Sequence, residues 1–136
     1  MSRPVEPNIP ADEDLYRGLL PEWIDGDVVL PEAIDIRGTS VNRHKYKSDP
    51  RDAMNVARGR TRVASVCARD FPQPLIVESG PTYQFQAFDL PDETNDAHAE
   101  IRPIRLGIGW NPNHTIASRN KALLKKALAD KMRPLL

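Results

Sequence analysis

Apolar side chains first gather at Leu15, Tyr16, Leu19 and Leu20, behind a stretch that holds Pro4, Pro7 and Pro10 and almost nothing to bury. Residues 1–11 therefore read as a flexible or extended, Pro-rich acidic arm, and residues 12–136 as a single globular domain. The Asp25-Gly26-Asp27 turn leads into Val28-Val29-Leu30, a short strand closed by Pro31. β-Branched residues dominate 61–68, and Leu75-Ile76-Val77 follows Pro74, so both segments predict strands. From Tyr83 to Phe88 the pattern alternates, with Tyr83, Phe85 and Ala87 on one face and Gln84 and Gln86 on the other. The turn at Ser79-Gly80-Pro81 is expected to pair this strand with the one before it. Across residues 97–108, Ala97, Ala99 and Ile101 alternate with His98 and Glu100, and Pro103 there predicts an edge position or a bulge.

Two segments carry helical signals. Residues 48–58 have Ser48 or Asp49 as a cap, Pro50 in the first turn and Gly59 at the position just past the end. Ala53, Met54, Val56 and Ala57 form their apolar stripe. Residues 118–132 have Ser118 as a cap and Leu123, Leu124, Ala127, Leu128 and Met132 along one side. Lys121, Lys125 and Lys131 lie away from that side, and Pro134 stops the helix. The pattern predicts an α+β domain: a largely antiparallel sheet of about five strands with two helices, the C-terminal amphipathic helix packed on the sheet.

Composition narrows the function classes. A chain of 136 residues with 40% hydrophobic content builds one modest core. No apolar run approaches the roughly 20 residues of a membrane-spanning helix, and the polar N-terminus carries no secretory pattern, so the expectation is a soluble cytoplasmic protein without membrane contact. Cys67 stands alone, which excludes an internal disulfide framework and a Cys-based zinc knuckle. The formal net charge of zero conceals segregation: −7 over residues 1–36, +6 over 37–62, −4 over 63–118 and +5 over 119–136. Two basic blocks on one face would attract phosphate, which keeps a nucleic-acid-binding module in view. A pI near 6.8 lacks the basic balance of most dedicated nucleic-acid binders.

The densest polar block is 37–46. Gly38 permits close backbone approach, Thr39 and Ser40 offer hydroxyls, and Arg37, Arg43 and Lys45 are cationic beside Tyr46. Such a set grips a phosphate or carboxylate through charge-assisted hydrogen bonds; the plainer reading is a surface loop leading into the 48–58 helix. Neither GxxxxGK[ST] nor GxGxxG occurs. His98 and Glu100, two apart on a strand, share a face and suit a base with its orienting carboxylate, or simply a solvated strand face. With His44 or His114 they could reach a metal, but nothing fixes a third ligand, so neither metal nor cofactor is assigned. Cys67, between Val66 and Ala68, reads as a small hydrophobe. Trp23 and Trp110 follow turn-like sequence and read as core edges or partner anchors.

Three patches carry a resemblance: Leu15-Tyr16-Arg17 with Pro21 and Trp23, Thr39-Ser40-Val41-Asn42-Arg43, and Asn95-Asp96-Ala97-His98-Ala99-Glu100. In that order they resemble a loosely defined group of short bacterial proteins of uncharacterised activity, which implies a bacterial single domain and no mechanism. Tyr16-Arg17-Gly18 also resembles the first core strand of ADP-ribosyltransferases, with Glu100 as the later strand glutamate. Thr39-Ser40 or Tyr46-Lys47-Ser48 would serve as the middle motif. The leading expectation is an accessory protein acting through a protein partner, its acidic arm ordering on binding. The rival is a small enzyme on an anionic, phosphate- or nucleotide-containing substrate. In it Arg17 and Arg43 hold the anion and His98 or Glu100 moves the proton.

Overall fold

The computed structural model describes residues 2–76, 80–109 and 116–136. In chain order they hold β1 (Leu15–Leu19), β2 (Ile24–Asp25), β3 (Val28–Val29), β4 (Thr39–Arg43), β5 (Arg62–Val66), β6 (Leu75–Ile76), β7 (Thr82–Asp89), β8 (His98–Arg105), α1 (Ser118–Ala129) and β9 (Arg133–Pro134). Seven strands form one curled, open sheet in the order β6-β7-β8-β4-β1-β5-β9, and every neighbouring pair is antiparallel. β2 and β3 make a separate hairpin. The protein is thus mostly β, a half-barrel with one α-helix, and the expected α+β layout of about five strands and two helices does not hold.

Side-chain alternation gives the half-barrel an inside and an outside. Leu15 and Leu19 of β1, Val41 of β4, Ala64 and Val66 of β5, Tyr83 and Phe85 of β7, and Ala99 and Ile101 of β8 all join one buried cluster. α1 closes the inside by adding Leu124, Leu128 and Ala129. Each of the two leucines, fully buried, contributes about 1.5–3 kcal/mol. The outer face takes Tyr16 and Gly18 of β1, Ser40 and Asn42 of β4, and His98, Glu100 and Arg102 of β8.

The two helical segments depart from expectation for separate reasons. Residues 48–58 form two single 3-10 turns, Pro50–Ala53 and Val56–Arg58, with Asp49 accepting from the Arg51 amide as the cap. No residue of either turn is buried, so no apolar face sustains an α-helix here. Asn55 and Arg60 instead exchange two 2.9 Å backbone hydrogen bonds, and Gly59 takes the left-handed φ of 73° that closes the turn between them. α1 begins one residue early, with Ala117 rather than Ser118 at the cap and no side-chain cap bond. Leu123 is exposed, while Met132 reaches the core from beyond the helix end. Pro134 does not merely stop the helix: with Arg133 it forms β9 against β5.

The two central strands were the hardest to foresee. β1 is buried along its whole length, because β4 and β5 flank it, the core lies inside and residues 50–53 lie outside. The 37–46 block contains β4 rather than a surface loop. Thr39 closes the turn before it, its hydroxyl donating to the Asp35 carbonyl at 3.0 Å and accepting from the Asp35 amide at 3.1 Å. Pro103 lies in an interior strand, yet β4 ends opposite Ile101, so no ladder partner flanks Pro103 on that side. Among the described residues no helix is long and apolar enough to cross a membrane.

Candidate functional site

A polar cleft of about 250 Å³ opens on the outer face, between the arch that residues 50–60 make over β1 and the outer side chains of β4 and β8. Ser40, Asn42, Asn55, Arg60, Asn95 and His98 contribute to its lining. Gly18 seats the arch, since a Cβ there would run into the Ala53 carbonyl oxygen. Asn42 ties the cleft floor together: its amide donates to the Asp52 carbonyl at 3.2 Å, and its oxygen accepts from Asn95 at 2.8 Å. Asn95 in turn accepts from the Ala97 amide at 3.0 Å, fixing the entry into β8.

His98 is the group with chemical reach. Its Nδ1 lies 2.9 Å from the Leu90 carbonyl oxygen, which can only accept, so in the neutral ring Nδ1 carries the proton and Nε2 the lone pair. Nε2 faces the Ser40 hydroxyl at 3.4 Å and a Glu100 carboxylate oxygen at 4.0 Å. Glu100 is held the other way by Arg102, at 3.0 Å, and packs against Gly38, where a Cβ would collide with its carboxylate. At the edge of the arch the Arg60 guanidinium stacks 5.3 Å from the Trp23 ring. A second pair borders the cleft, with the Tyr16 hydroxyl and His44 Nδ1 2.6 Å apart.

The arginines expected to join His98 point the other way. Arg17 shares the inward phase of Leu15 and Leu19. Its guanidinium is buried and donates to the Ala33 carbonyl at 3.0 and 3.1 Å and to the Ser40 carbonyl at 3.0 Å. Burial, with Arg60 nearby, pushes its pKa down to about 10, which leaves it charged at neutral pH. Arg43 shares the inward phase of Val41 and is fully buried at one mouth of the half-barrel. There it binds Glu13 through two bonds of 2.7 and 2.9 Å, Glu6 at 2.6 Å and Asp89 at 3.1 Å. Arg17, Arg43, His98 and Glu100 therefore do not converge on one ligand. Arg17 and Glu100, the pair that the ADP-ribosyltransferase likeness joins, lie on opposite faces of the sheet.

The other sequence candidates divide among three places. Ser40 faces the cleft. Lys45 and Tyr46 sit at the mouth, bonded to Glu6 at 2.8 and 2.6 Å. Thr39 is buried in its turn, Arg37 is exposed beside Asp35 at 3.7 Å, and Trp23 packs half-buried against the core between Arg17 and Arg60. Trp110 and His114 lie outside the described residues. Among the described residues no three His, Cys, Asp or Glu side chains group as metal ligands. Cys67 is buried and donates to Asp70 at 3.1 Å, and burial and that carboxylate raise its pKa.

Sequence reasoning missed Asn42, Arg60, Asn95 and Tyr16 at the cleft, and Glu6, Glu13 and Asp89 at the mouth. Asp89 had a signal: it continues the Tyr83, Phe85, Ala87 phase, so a carboxylate was due on the core face of β7 and needed a cation there. Of the two basic blocks, residues 50–60 lie outside the sheet and α1 inside it, while Arg62 meets the C-terminal segment by donating to the Leu136 carbonyl at 2.6 Å. No protein family, curated protein or solved structure matches the chain.

Proposed function

We propose that the protein is a small enzyme acting on an anionic substrate bound in the outer-face cleft. In this reading Arg60 holds the anionic group, His98 is the general base and Ser40 supplies the hydroxyl it activates. The observation that carries the reading is the state of His98: Nδ1 is committed to the Leu90 carbonyl, which leaves the Nε2 lone pair aimed at Ser40. A base oriented by one acceptor and facing a hydroxyl is the arrangement nucleophilic catalysis uses. A 3.4 Å separation is long for a hydrogen bond, and such contacts commonly tighten when substrate binds. Nε2 would take the hydroxyl proton as Oγ attacks, and return it to the leaving group. The expected role for a protein partner drew on the missing catalytic motif, the segregated charge and a Pro-rich acidic arm that orders on binding. Residues 3 and 6 of that arm are bonded within the chain, which moves weight to the cleft.

The test is covalent capture with a fluorophosphonate probe, read by intact mass and peptide mapping. The wild type should gain one adduct at Ser40, Ser40→Ala should gain none, and His98→Gln should react at least tenfold more slowly. No adduct on the wild type, or a rate indifferent to His98, would sink the reading.

A further inference from the structure

The mouth of the half-barrel is built around a peptide. Residues 3–9 lie across it in extended, proline-punctuated backbone, with no strand pairing to the sheet among the described residues. Ile9 packs against the core, and the polar attachment is made by two side chains three residues apart and one backbone amide. Arg3 grips Asp89 through two bonds of 2.6 and 2.7 Å and stacks 3.6 Å over the Tyr46 ring. The Glu6 carboxylate receives three donors at once: Arg43 at 2.6 Å, Tyr46 at 2.6 Å and Lys45 at 2.8 Å. The Glu6 amide then donates to Asp89 at 2.7 Å.

Most of this receptor does not depend on the arm for its shape. Arg43 is fully buried and is separately oriented by the two bonds it donates to Glu13, and it contacts Asp89 directly. Lys45 and Tyr46 lie two and three residues past the end of β4. Without Glu6, an Arg43 N–H, the Lys45 ammonium and the Tyr46 hydroxyl would still point at one carboxylate-sized volume. Asp89 would still present two oxygens to a guanidinium. Charge-assisted bonds of this kind are strong and directional.

We propose that the mouth is a recognition site for an extended peptide bearing an Arg-x-x-Glu pair, and that the N-terminal arm is its resident ligand. The arm holds the site in cis through side-chain contacts that compete on equal terms with the same residues supplied in trans. Tethering gives it an effective concentration in the millimolar range, so a competitor succeeds only near that concentration or when the arm is weakened.

The probe is a labelled synthetic peptide of residues 2–11, followed by fluorescence anisotropy against the full chain. The wild type should bind it at least tenfold more weakly than the Arg3→Ala/Glu6→Gln variant, whose own arm lacks both contacts. A probe carrying Glu6→Gln should bind that variant at least tenfold more weakly than the native probe. Equal binding of the two probes, or no binding by a variant whose circular dichroism matches the wild type, overturns the proposal. A second measurement needs no variant. In the wild type, millimolar native peptide should speed hydrogen exchange at the Glu6 amide, and the Glu6→Gln peptide should not. An unchanged Glu6 exchange rate in both cases overturns the proposal as well.

Discussion

Arg43 and Asp89 stand 3.1 Å apart with neither side chain exposed. They come from β4 and β7, which are not neighbours in the sheet, and both occupy positions whose phase faces the core. A buried charge of either sign is costly alone. Here Glu13 and Glu6 complete Arg43, and Arg3 and the Glu6 amide complete Asp89. Among the described residues no buried side-chain nitrogen or oxygen lacks a hydrogen-bond partner. The cluster ties the segment before β1, the end of β4 and the end of β7 into one unit.

Removing the shared cation should therefore be severe. Arg43→Met leaves Glu13 and Asp89 as enclosed carboxylates short of a partner, and breaking a buried pair in this way costs about 3–5 kcal/mol. Urea unfolding measures it directly. A loss under about 1 kcal/mol would mean that water reaches the cluster and that it does not hold the mouth together.

Acid should open the same region. Hydrogen bonds from Lys45, Tyr46 and Arg43 lower the Glu6 pKa to about 2. Burial pushes the Asp89 carboxyl up, but Arg3, the Glu6 amide and Arg43 outweigh it and hold it at about 2. Both folded values lie below the ordinary values of 4.5 and 3.8, so the unfolded chain binds more protons as pH falls. The stabilisation is complete above about pH 5 and is lost progressively from there towards pH 2. Unfolding followed at several pH values in that window should show the decline, and Asp89→Asn should flatten it. An equally steep decline in Asp89→Asn would assign the titration to other carboxylates.

Where apolar and polar residues alternate on a strand with one solvated face, the sequence announces the strand. Tyr83, Phe85 and Ala87 against Gln84 and Gln86 predicted β7, and Ala99 and Ile101 against His98 and Glu100 predicted β8. β1 and β4 hid because the core phase itself contains Arg17 and Arg43, and because the outer face of β1 is covered by Ala53 rather than water. Alternation vanishes when both faces are buried or when a core position is charged. His98 and Ser40 were legible as chemistry but not as a pair, since only the β4–β8 register brings Ser40 opposite Glu100 and Asn42 opposite His98. Arg60 carried no signal, because its place follows from the Asn55–Arg60 bridge. The anion-gripping character of Arg43, Lys45 and Tyr46 was legible, and the carboxylate they grip turned out to be the chain's own Glu6.

The arch over the cleft rests on Gly18, and a methyl group there should lift it. Gly18→Ala drives a Cβ against the Ala53 carbonyl oxygen, a backbone atom that cannot swing aside as a side chain would. Overpacking of this kind costs about 1–3 kcal/mol. Thermal unfolding should register the loss, and hydrogen exchange should show residues 50–60 opening ahead of the rest. A variant as stable as the wild type would mean that the arch shifts freely and does not shape the cleft.

Arg60 should decide which ligands the cleft accepts. Among the described residues no ion pair with a carboxylate engages its guanidinium, which stacks on Trp23 beside the cleft. A hydrogen bond to a charged group contributes about 1.5–3 kcal/mol, or roughly 10–100-fold in affinity. Protection of Ser40 from the fluorophosphonate by small phosphate monoesters should therefore need at least tenfold more ligand in Arg60→Gln. Protection by neutral alcohols of similar size should stay unchanged. Arg37→Gln, which alters an exposed arginine at the turn before β4, supplies the comparison for a loss of charge alone. Equal effects from the two substitutions would show a general surface potential at work, and the anion would then have no anchor in Arg60.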